Sequence, residues 1–207
     1  MKPKWCKNAI ALTGSLGSGK STVLKQLEQL GAYVLSADDL AREVTLPGQV
    51  TLRKIVERFG EQLLDPSGKL KRDALAELVF ADKTARQELE AITHPAIREL
   101  AQAKFEAAMR QGYPLYVYEV PLLFETQMEG NGFLAIVVVT CPEDQALQRV
   151  SQLRGISLQN AKARLAAQLP AQLKASKADY IIENSGSLED LQEKVGQLYF
   201  ELCALTN

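Results

Sequence analysis

The sequence predicts an α/β fold in which helices cover both faces of a parallel β-sheet. Five short apolar segments recur along the chain, and helical stretches separate them. Residues 115–119 and 134–139 are continuous rather than alternating runs, which is typical of strands buried on both faces. Strands of this kind, separated by helices, predict a three-layer arrangement with the sheet in the middle.

The first predicted strand leads into a complete nucleotide-binding motif. Residues 9–13 are mainly apolar, and residues 14–21 read GSLGSGKS, which fills every specified position of G-x-x-x-x-G-K-[ST]. Beyond it, apolar residues recur at helical spacing from Val23 to Leu30, and Gly31 ends the pattern. The order of strand, glycine-rich loop and helix predicts a P-loop nucleoside-triphosphate-binding fold. Residues 14–21 are called the phosphate loop below.

The residue types in the phosphate loop explain the expected chemistry. Glycine has no Cβ, so Gly14, Gly17 and Gly19 allow a concave backbone whose N–H groups point at phosphate oxygens, at the positive end of the following helix. We expect Lys20 to meet the β- and γ-phosphates and Ser21 to offer its hydroxyl to Mg²⁺. The predicted nucleotide-binding residues of this stretch are Gly14, Ser15, Leu16, Gly17, Ser18, Gly19, Lys20, Ser21 and Thr22.

Four further strands and a last helix complete the predicted core. The short segment 33–35 leads into a polar cluster, 115–119 and 134–139 are the continuous runs, and 180–182 follows Asp179. Ligands of such sheets bind beyond the carboxyl ends of the strands. The chain after Ser187 has acidic residues in its first turn and one apolar face, which predicts a capped packing helix to about Leu205.

Two helical stretches do not fit the sheet pattern. Residues 60–112 contain no strand-like segment, and Pro95 suits the first position of a new helix. We expect this stretch to be an insertion that binds a phosphoryl acceptor. Residues 150–177, called the lid segment below, are polar and rich in Lys and Arg, including Lys174. They predict either a lid over the triphosphate or a solvated charged face.

The remaining residues would form the nucleotide-binding core. The core comprises residues 1–59, 113–149 and 178–207.

Charge and cysteine content exclude several classes of protein. The 24 Lys and Arg residues nearly balance the 25 Asp and Glu residues, so nothing favours nucleic acid or an anionic membrane as a partner. The longest apolar run, 133–139, is far too short to span a membrane. Cys6, Cys141 and Cys203 are scattered, which argues against disulfides and zinc. We expect a cytoplasmic protein with small-molecule partners, as a monomer or small homo-oligomer.

Absent motifs narrow the class of phosphate-loop protein. The chain has neither the N-K-x-D string of guanine-specific switches nor the L-S-G-G-Q string of transporter ATPases. Small-molecule kinases remain, and they need an acidic residue beside the phosphate loop for the acceptor hydroxyl or Mg²⁺. Residues 36–39, which read SADD directly after the second strand, fill that place.

The chain resembles the dephospho-coenzyme A kinase family nearly end to end. Its motifs are L-T-G-x-x-G-S-G-K-S-T at 12–22, A-D-x-x-A-R at 37–42, D-x-x-G-x-L-x-R-x-x-L at 65–75, H-P at 94–95, P-L-L-F-E at 121–125, A-x-x-A-D at 175–179 and N-S-G at 184–186. The resemblance implies an ATP-dependent, Mg²⁺-requiring kinase that phosphorylates the ribose 3′-hydroxyl of dephospho-coenzyme A. Two positions depart from the pattern. Ser36 stands where the family usually has Asp, and after Arg154 the lid is one residue shorter and lacks an Asp.

The resemblance also implies roles for single residues. Asp38 would be the general base or orienter of the 3′-hydroxyl, with a helix N-cap as the structural alternative. Arg42 would touch the acceptor or pair with Asp38 at i,i+4 spacing. Arg149 and Arg154 would supply positive charge to the transferring phosphoryl group.

Three further assignments follow from the same pattern. Arg72 would meet a phosphate of the acceptor, and Asn184 would lie near the adenine edge. His94 would face the substrate or serve only as a helix cap or hinge. The rivals are another small-acceptor kinase, of nucleotide or shikimate type, and a nucleotide-dependent switch without an acceptor.

Overall fold

The computed structural model describes residues 8–154 and 157–206, apart from the side chains of residues 153 and 154. Its strands form one parallel sheet in the order β2-β3-β1-β4-β5. The strands are β1 (Ala9–Gly14), β2 (Tyr33–Ser36), β3 (Tyr116–Glu119), β4 (Ala135–Thr140) and β5 (Tyr180–Glu183). The predicted parallel α/β fold is confirmed.

Helices connect the strands along the chain. In the described residues they are α1 (Lys20–Gln29), α2 (Ala37–Glu43), α3 (Val50–Phe59), α4 (Arg72–Ala81), α5 (Lys83–Met109), α6 (Glu143–Arg154), α7 (Leu158–Ala166), α8 (Ala171–Ala175) and α9 (Leu188–Leu205). Short 3₁₀ turns lie at Glu61–Leu63 and Met128–Asn131.

The chain divides into two compact units. The first contains the described residues up to Ser36 and from Ala107 onward, and therefore the whole sheet. The second is Ala37–Glu106, so it includes α2 and α3 in addition to most of the predicted insertion at 60–112. Use of the insertion to bind an acceptor stays a prediction.

The first unit is organised around β1, which is buried at all six positions. Leu12 of β1 lies opposite Glu119 of β3, and Gly14 lies opposite Val139 of β4. Because all strands are parallel, their carboxyl ends meet at one edge of the sheet, where ligands bind in folds of this class. The phosphate loop starts at this edge.

Helices α1 and α9 pack against the same core cluster as the sheet. Val23 and Leu27 of α1 are buried with Ile10 and Leu12, and α9 adds the predicted stripe of Leu191, Val195, Leu198 and Leu202. Ser187 caps α9 as predicted: its hydroxyl accepts the N–H of Asp190, whose carboxylate accepts the N–H of Ser187. The capping residues and the helical spacing of the apolar residues therefore specify this helix.

The second unit has its own smaller core. Its buried residues are Ile55, Phe59, Leu63, Leu75 and Ala85, with Leu78, Val79, Leu89 and Ile92 packed against them. The only pairing of strand type in the described part of this unit is an isolated antiparallel bridge between Leu64 and Leu70, across the turn at 65–68. The helical character predicted for 60–112 is confirmed.

The prediction that Pro95 begins a new helix is wrong. α5 runs without a break from Lys83 to Met109, with Pro95 inside it. Proline has no N–H, so one backbone hydrogen bond to the preceding turn is lost. The carbonyl that loses its helical donor is that of Ala91, four residues before Pro95. The hydroxyl of Thr93 bonds a different carbonyl, that of Leu89, at 2.8 Å. The helix is packed on both sides of Pro95, through Leu89 and Ile92 before it and through Ala101 and Phe105 after it, and this burial offsets the lost bond.

Two of the three cysteines are described, and neither Cys141 nor Cys203 forms a disulfide bond within the described residues. The thiol of Cys141 donates to the carbonyl of Gly17 at 3.7 Å, and burial raises its pKa. Cys6 lies outside the described residues. Within 8–154 and 157–206, no helix has both the length and the apolar character needed to cross a membrane.

Candidate active site

The backbone of the phosphate loop requires glycine at Gly14, Gly17 and Gly19, since each has a positive φ and a neighbour that a Cβ would overlap. Gly17 has φ of 76° and Gly19 has φ of 96°, both in the left-handed region. A Cβ on Gly17 would overlap the carbonyl of Ala146 in α6, and a Cβ on Gly19 would overlap the side-chain amide of Asn184. The loop is therefore pressed against α6 and against the end of β5.

Lys20 begins α1 and bends back over the loop. Its Nζ donates to the carbonyls of Gly14 at 2.9 Å and Ser15 at 3.0 Å. The ammonium is thus held at the concave side of the loop, where the motif predicts the β- and γ-phosphates. Ser21 and Thr22 follow in the first turn of α1, and both are exposed.

Arg149 and Asn184 join Lys20 at the phosphate loop. Nη2 of Arg149 donates to the carbonyl of Asn184 at 3.1 Å and to Oε1 of Gln145 at 3.3 Å. Its Nη1 is buried and has no hydrogen-bond partner among the described residues, and it lies 3.9 Å from the Cβ position of Gly19. A buried guanidinium nitrogen without a partner is costly. An anion on the loop would satisfy it.

Asn184 lies beneath the loop. Its Nδ2 donates to the carbonyl of Ser18 at 2.9 Å, and the residue is buried. This hydrogen bond gives Asn184 a role in shaping the loop. The predicted contact with the adenine edge stays a prediction.

A buried carboxylate at the end of β3 was not singled out from the sequence. Glu119 is 7% exposed, and its Oε2 accepts the hydroxyl of Ser36 at 2.7 Å. It lies beside Leu12, two residues before the phosphate loop. The sequence feature that points to Glu119 is its place as an acidic residue at the end of an apolar strand that reaches the binding edge. Ser36, where the family pattern has Asp, thus bonds to an acid on the neighbouring strand.

The lid segment includes a residue whose role the charge pattern did not predict. Lys174 of α8 is completely buried, so it is neither a solvated base nor exposed toward a nucleotide. Its Nζ forms an ion pair with Oε1 of Glu125 at 2.8 Å. The same Oε1 also accepts the backbone N–H of Leu169 at 2.9 Å. Burial raises the pKa of Glu125, but the hydrogen bonds from Lys174 and Leu169 outweigh it and lower the pKa.

The acids after β2 belong to the first turn of α2 in the second unit. Asp38 is exposed and has no hydrogen-bond or ion-pair partner among the described residues, so the N-cap alternative is not realised. Arg42 pairs with Asp39 at 3.2 Å, at i,i+3 spacing, so the alternative of an ion pair with Asp38 is not realised. The other alternative, contact with the acceptor, stays a prediction. The carboxylate of Asp38 is therefore left available to a substrate.

Arg72, the first residue of α4, is anchored within the second unit. Its Nη2 donates to the hydroxyl of Thr45 at 2.7 Å and to the carbonyl of Arg42 at 3.3 Å. Burial lowers the pKa of Arg72, and the nearby positive charge of Arg42 lowers it further. Two guanidinium groups close enough to repel each other favour an anion beside them.

Two predicted residues are not tied to this arrangement. His94 is exposed within α5, so it is neither a helix cap nor a residue between two helices. Arg154 ends α6, and its side chain lies outside the described residues.

The described residues contain no cluster of three or more His, Cys, Asp or Glu side chains that could hold a metal ion by themselves. The oxygen donors at the loop, the Ser21 hydroxyl and the Glu119 carboxylate, nevertheless suit Mg²⁺, which binds through few protein ligands together with phosphate oxygens and water.

Comparisons with known proteins identify the family of the chain. The family model described as dephospho-CoA kinase matches residues 8–190. Proteins named dephospho-CoA kinase from Syntrophotalea carbinolica and Geobacter sulfurreducens are each 44% identical to the chain over 93% of its length, which covers 91% and 97% of theirs.

Solved structures give the same result at the level of the fold. Dephospho-CoA kinase from Campylobacter jejuni is 33% identical, with a TM-score of 0.70 over 95% of this chain and 98% of that one. Shikimate kinase from Acinetobacter baumannii, at 18% identity and a TM-score of 0.52 over 94% and 93%, shares the fold alone. With the family model matching most of the chain and the relatives matching it nearly end to end, the chain belongs to the dephospho-CoA kinase family.

Proposed function

We propose that the protein transfers the γ-phosphoryl group of ATP to the ribose 3′-hydroxyl of dephospho-coenzyme A, with Mg²⁺. Membership of the family supports the acceptor. The observation that carries the chemistry is the phosphate loop with the Lys20 ammonium over it and the unpartnered Nη1 of Arg149 beside it. This group of donors suits a triphosphate.

In this reaction the 3′-oxygen attacks the γ-phosphorus, the bond from that phosphorus to the β,γ-bridging oxygen breaks, and ADP leaves. Positive charge stabilises the equatorial oxygens of a loose transition state. Lys20 and Arg149 would supply it, with Arg154 as a further predicted donor. The exposed carboxylate of Asp38 would accept or orient the proton of the 3′-hydroxyl.

Magnesium would be held by the Ser21 hydroxyl and, through water, by Glu119. When bound, it neutralises charge that develops on the phosphate oxygens. Arg42, Arg72 and His94 would contribute to acceptor binding, and Asn184 would support the nucleotide side. A cytoplasmic location and a monomer or small homo-oligomer stay predictions.

The proposal is tested by measuring ADP formation with four acceptor conditions: dephospho-coenzyme A, a nucleoside monophosphate, shikimate and no acceptor. We expect ADP to form with dephospho-coenzyme A and not under the other three conditions. The Lys20→Ala variant, checked for native circular dichroism, should lose that turnover because the loop keeps its glycine geometry but not its charge. Equal ADP formation without any acceptor would reject a kinase in favour of a nucleotide-dependent switch.

A further inference from the structure

Lys174 is a buried charge outside the group of residues that would contact the substrates. A lysine ammonium is rarely buried completely, because it must be paired and hydrogen-bonded to offset the loss of water. Here Nζ lies 2.8 Å from Oε1 of Glu125 and donates to the carbonyl of Pro121 at 3.5 Å. Both partners belong to the segment that follows β3. The ion pair therefore fixes α8 to the binding edge of the sheet.

The same carboxylate also holds the chain before α8. Oε1 of Glu125 accepts the N–H of Leu169 at 2.9 Å, while Oε2 is buried and has no hydrogen-bond partner in the described part of the chain. One oxygen thus fixes the chain at both Leu169 and Lys174. The Glu125 carboxylate therefore positions the end of the lid segment.

Gln168, the residue before Leu169, reaches the phosphate loop. Its Oε1 accepts the backbone N–H of Leu16 at 3.0 Å. The side chain of Leu16 packs against a small cluster of Leu147, Val150 and Ala161. The loop is thus held at Leu16 by a hydrogen bond to the lid segment and by an apolar cluster that the lid segment shares with α6.

We propose that Gln168 is a positioning residue for the phosphate loop and that the Lys174–Glu125 ion pair holds Gln168 in place. The proposal rests on the assignment of residues 14–21 as the ATP site. Backbone N–H groups bind phosphate well only when the loop is ordered before the ligand arrives, since ordering it on binding costs affinity. The bond from Gln168 orders the loop at Leu16, and the ion pair transmits this order from the far end of the lid.

The first test measures the dissociation constant of ATP by calorimetry, without an acceptor. Gln168→Ala should weaken ATP binding by about 3- to 10-fold, the usual worth of one hydrogen bond. Hydrogen exchange at the Leu16 amide should accelerate in the same variant. Gln172→Ala, an exposed glutamine on α8 with no side-chain hydrogen bond among the described contacts, is the matched control and should change neither value.

The second test separates positioning from stability. Removing Lys174 alone would leave a buried carboxylate, so the pair is replaced together by apolar residues in Glu125→Leu/Lys174→Met. We expect this variant to weaken ATP binding as much as Gln168→Ala does, and the addition of Gln168→Ala to weaken it no further, because all three residues act through one contact.

Two results would overturn the proposal. Unchanged or tighter ATP binding by Gln168→Ala would mean that Gln168 does not organise the loop. If the double variant has a lower melting temperature but binds ATP with the wild-type dissociation constant, the ion pair stabilises the fold and does not position the loop. Failure of the wild-type protein to bind ATP would instead reject the nucleotide site itself, so the two failures are distinguishable.

Discussion

Replacing Gly19 by alanine should disrupt the phosphate loop through two separable costs. The backbone at Gly19 has φ of 96°, and a left-handed conformation costs a residue with a Cβ about 1–2 kcal/mol. The new methyl would also displace the side-chain amide of Asn184 from the carbonyl of Ser18. Leaving these buried polar groups unsatisfied costs about 1–3 kcal/mol. We expect a total loss of about 2–5 kcal/mol of stability in the first unit.

Two variants separate the cost of backbone strain from the cost of the lost hydrogen bond. Gly132→Ala is the control for strain, because Gly132 lies in the same unit with φ of 80° and nothing within 4 Å of its Cβ position. It should cost about 1–2 kcal/mol. In an Asn184→Ala background the overlap is gone, so Gly19→Ala should fall to the cost of the control. Urea titrations read from hydrogen exchange of the β1 amides report this unit directly. A Gly19→Ala cost no larger than that of Gly132→Ala would refute the proposed contact with Asn184.

Three further predictions concern the substrate side and the lid. Asp38→Asn keeps the size and shape of the side chain but removes its charge, so kcat with both substrates saturating should fall by roughly 100-fold. Asp39→Asn loses only an exposed ion pair and should keep most of its rate. The reverse pattern would assign the catalytic carboxylate to Asp39. Arg72→Ala should raise the KM for dephospho-coenzyme A and leave the KM for ATP unchanged; equal rises would remove Arg72 from the acceptor site. Because the pKa of Glu125 is lowered in the folded protein, its stabilisation is complete above the usual carboxyl pKa of about 4.3 and is lost as pH falls through the lower folded value. Glu125→Gln should therefore flatten the acid limb of a melting-temperature profile, and an unchanged limb would mean that another group causes it.

Features with a local signal were predictable from the sequence. The apolar runs, the spaced glycines and the cap at Ser187 each depend on neighbours in the chain, and the strands, the loop and α9 follow them. Proline is compatible both with the first turn of a helix and, at a cost, with its interior. The neighbours of Pro95 do not distinguish the two, and packing along α5 decides.

Features that depend on distant partners were not predictable. Lys174 has the same local context as its exposed basic neighbours, and its burial results from Glu125, on a different element. Asn184 could be assigned to the nucleotide by motif, but its bond to Ser18 joins residues at opposite ends of the chain. Glu119 gains significance only beside Ser36, which the register of β2 and β3 brings opposite it. The charge pattern and the motifs predicted that the site lies at this edge of the sheet. The contacts made there depend on the topology, which brings distant residues together.

The most direct test of the central claim is the ³¹P spectrum of the product formed by the wild-type protein from ATP, Mg²⁺ and dephospho-coenzyme A. We expect the γ-phosphate signal of ATP to be replaced by that of a phosphomonoester on the ribose 3′-oxygen, in equal amount to the ADP formed. With Lys20→Ala the γ-phosphate signal should remain, and neither the phosphomonoester nor ADP should form. Free inorganic phosphate in place of the monoester, or a phosphate at another position of the acceptor, would contradict the central claim.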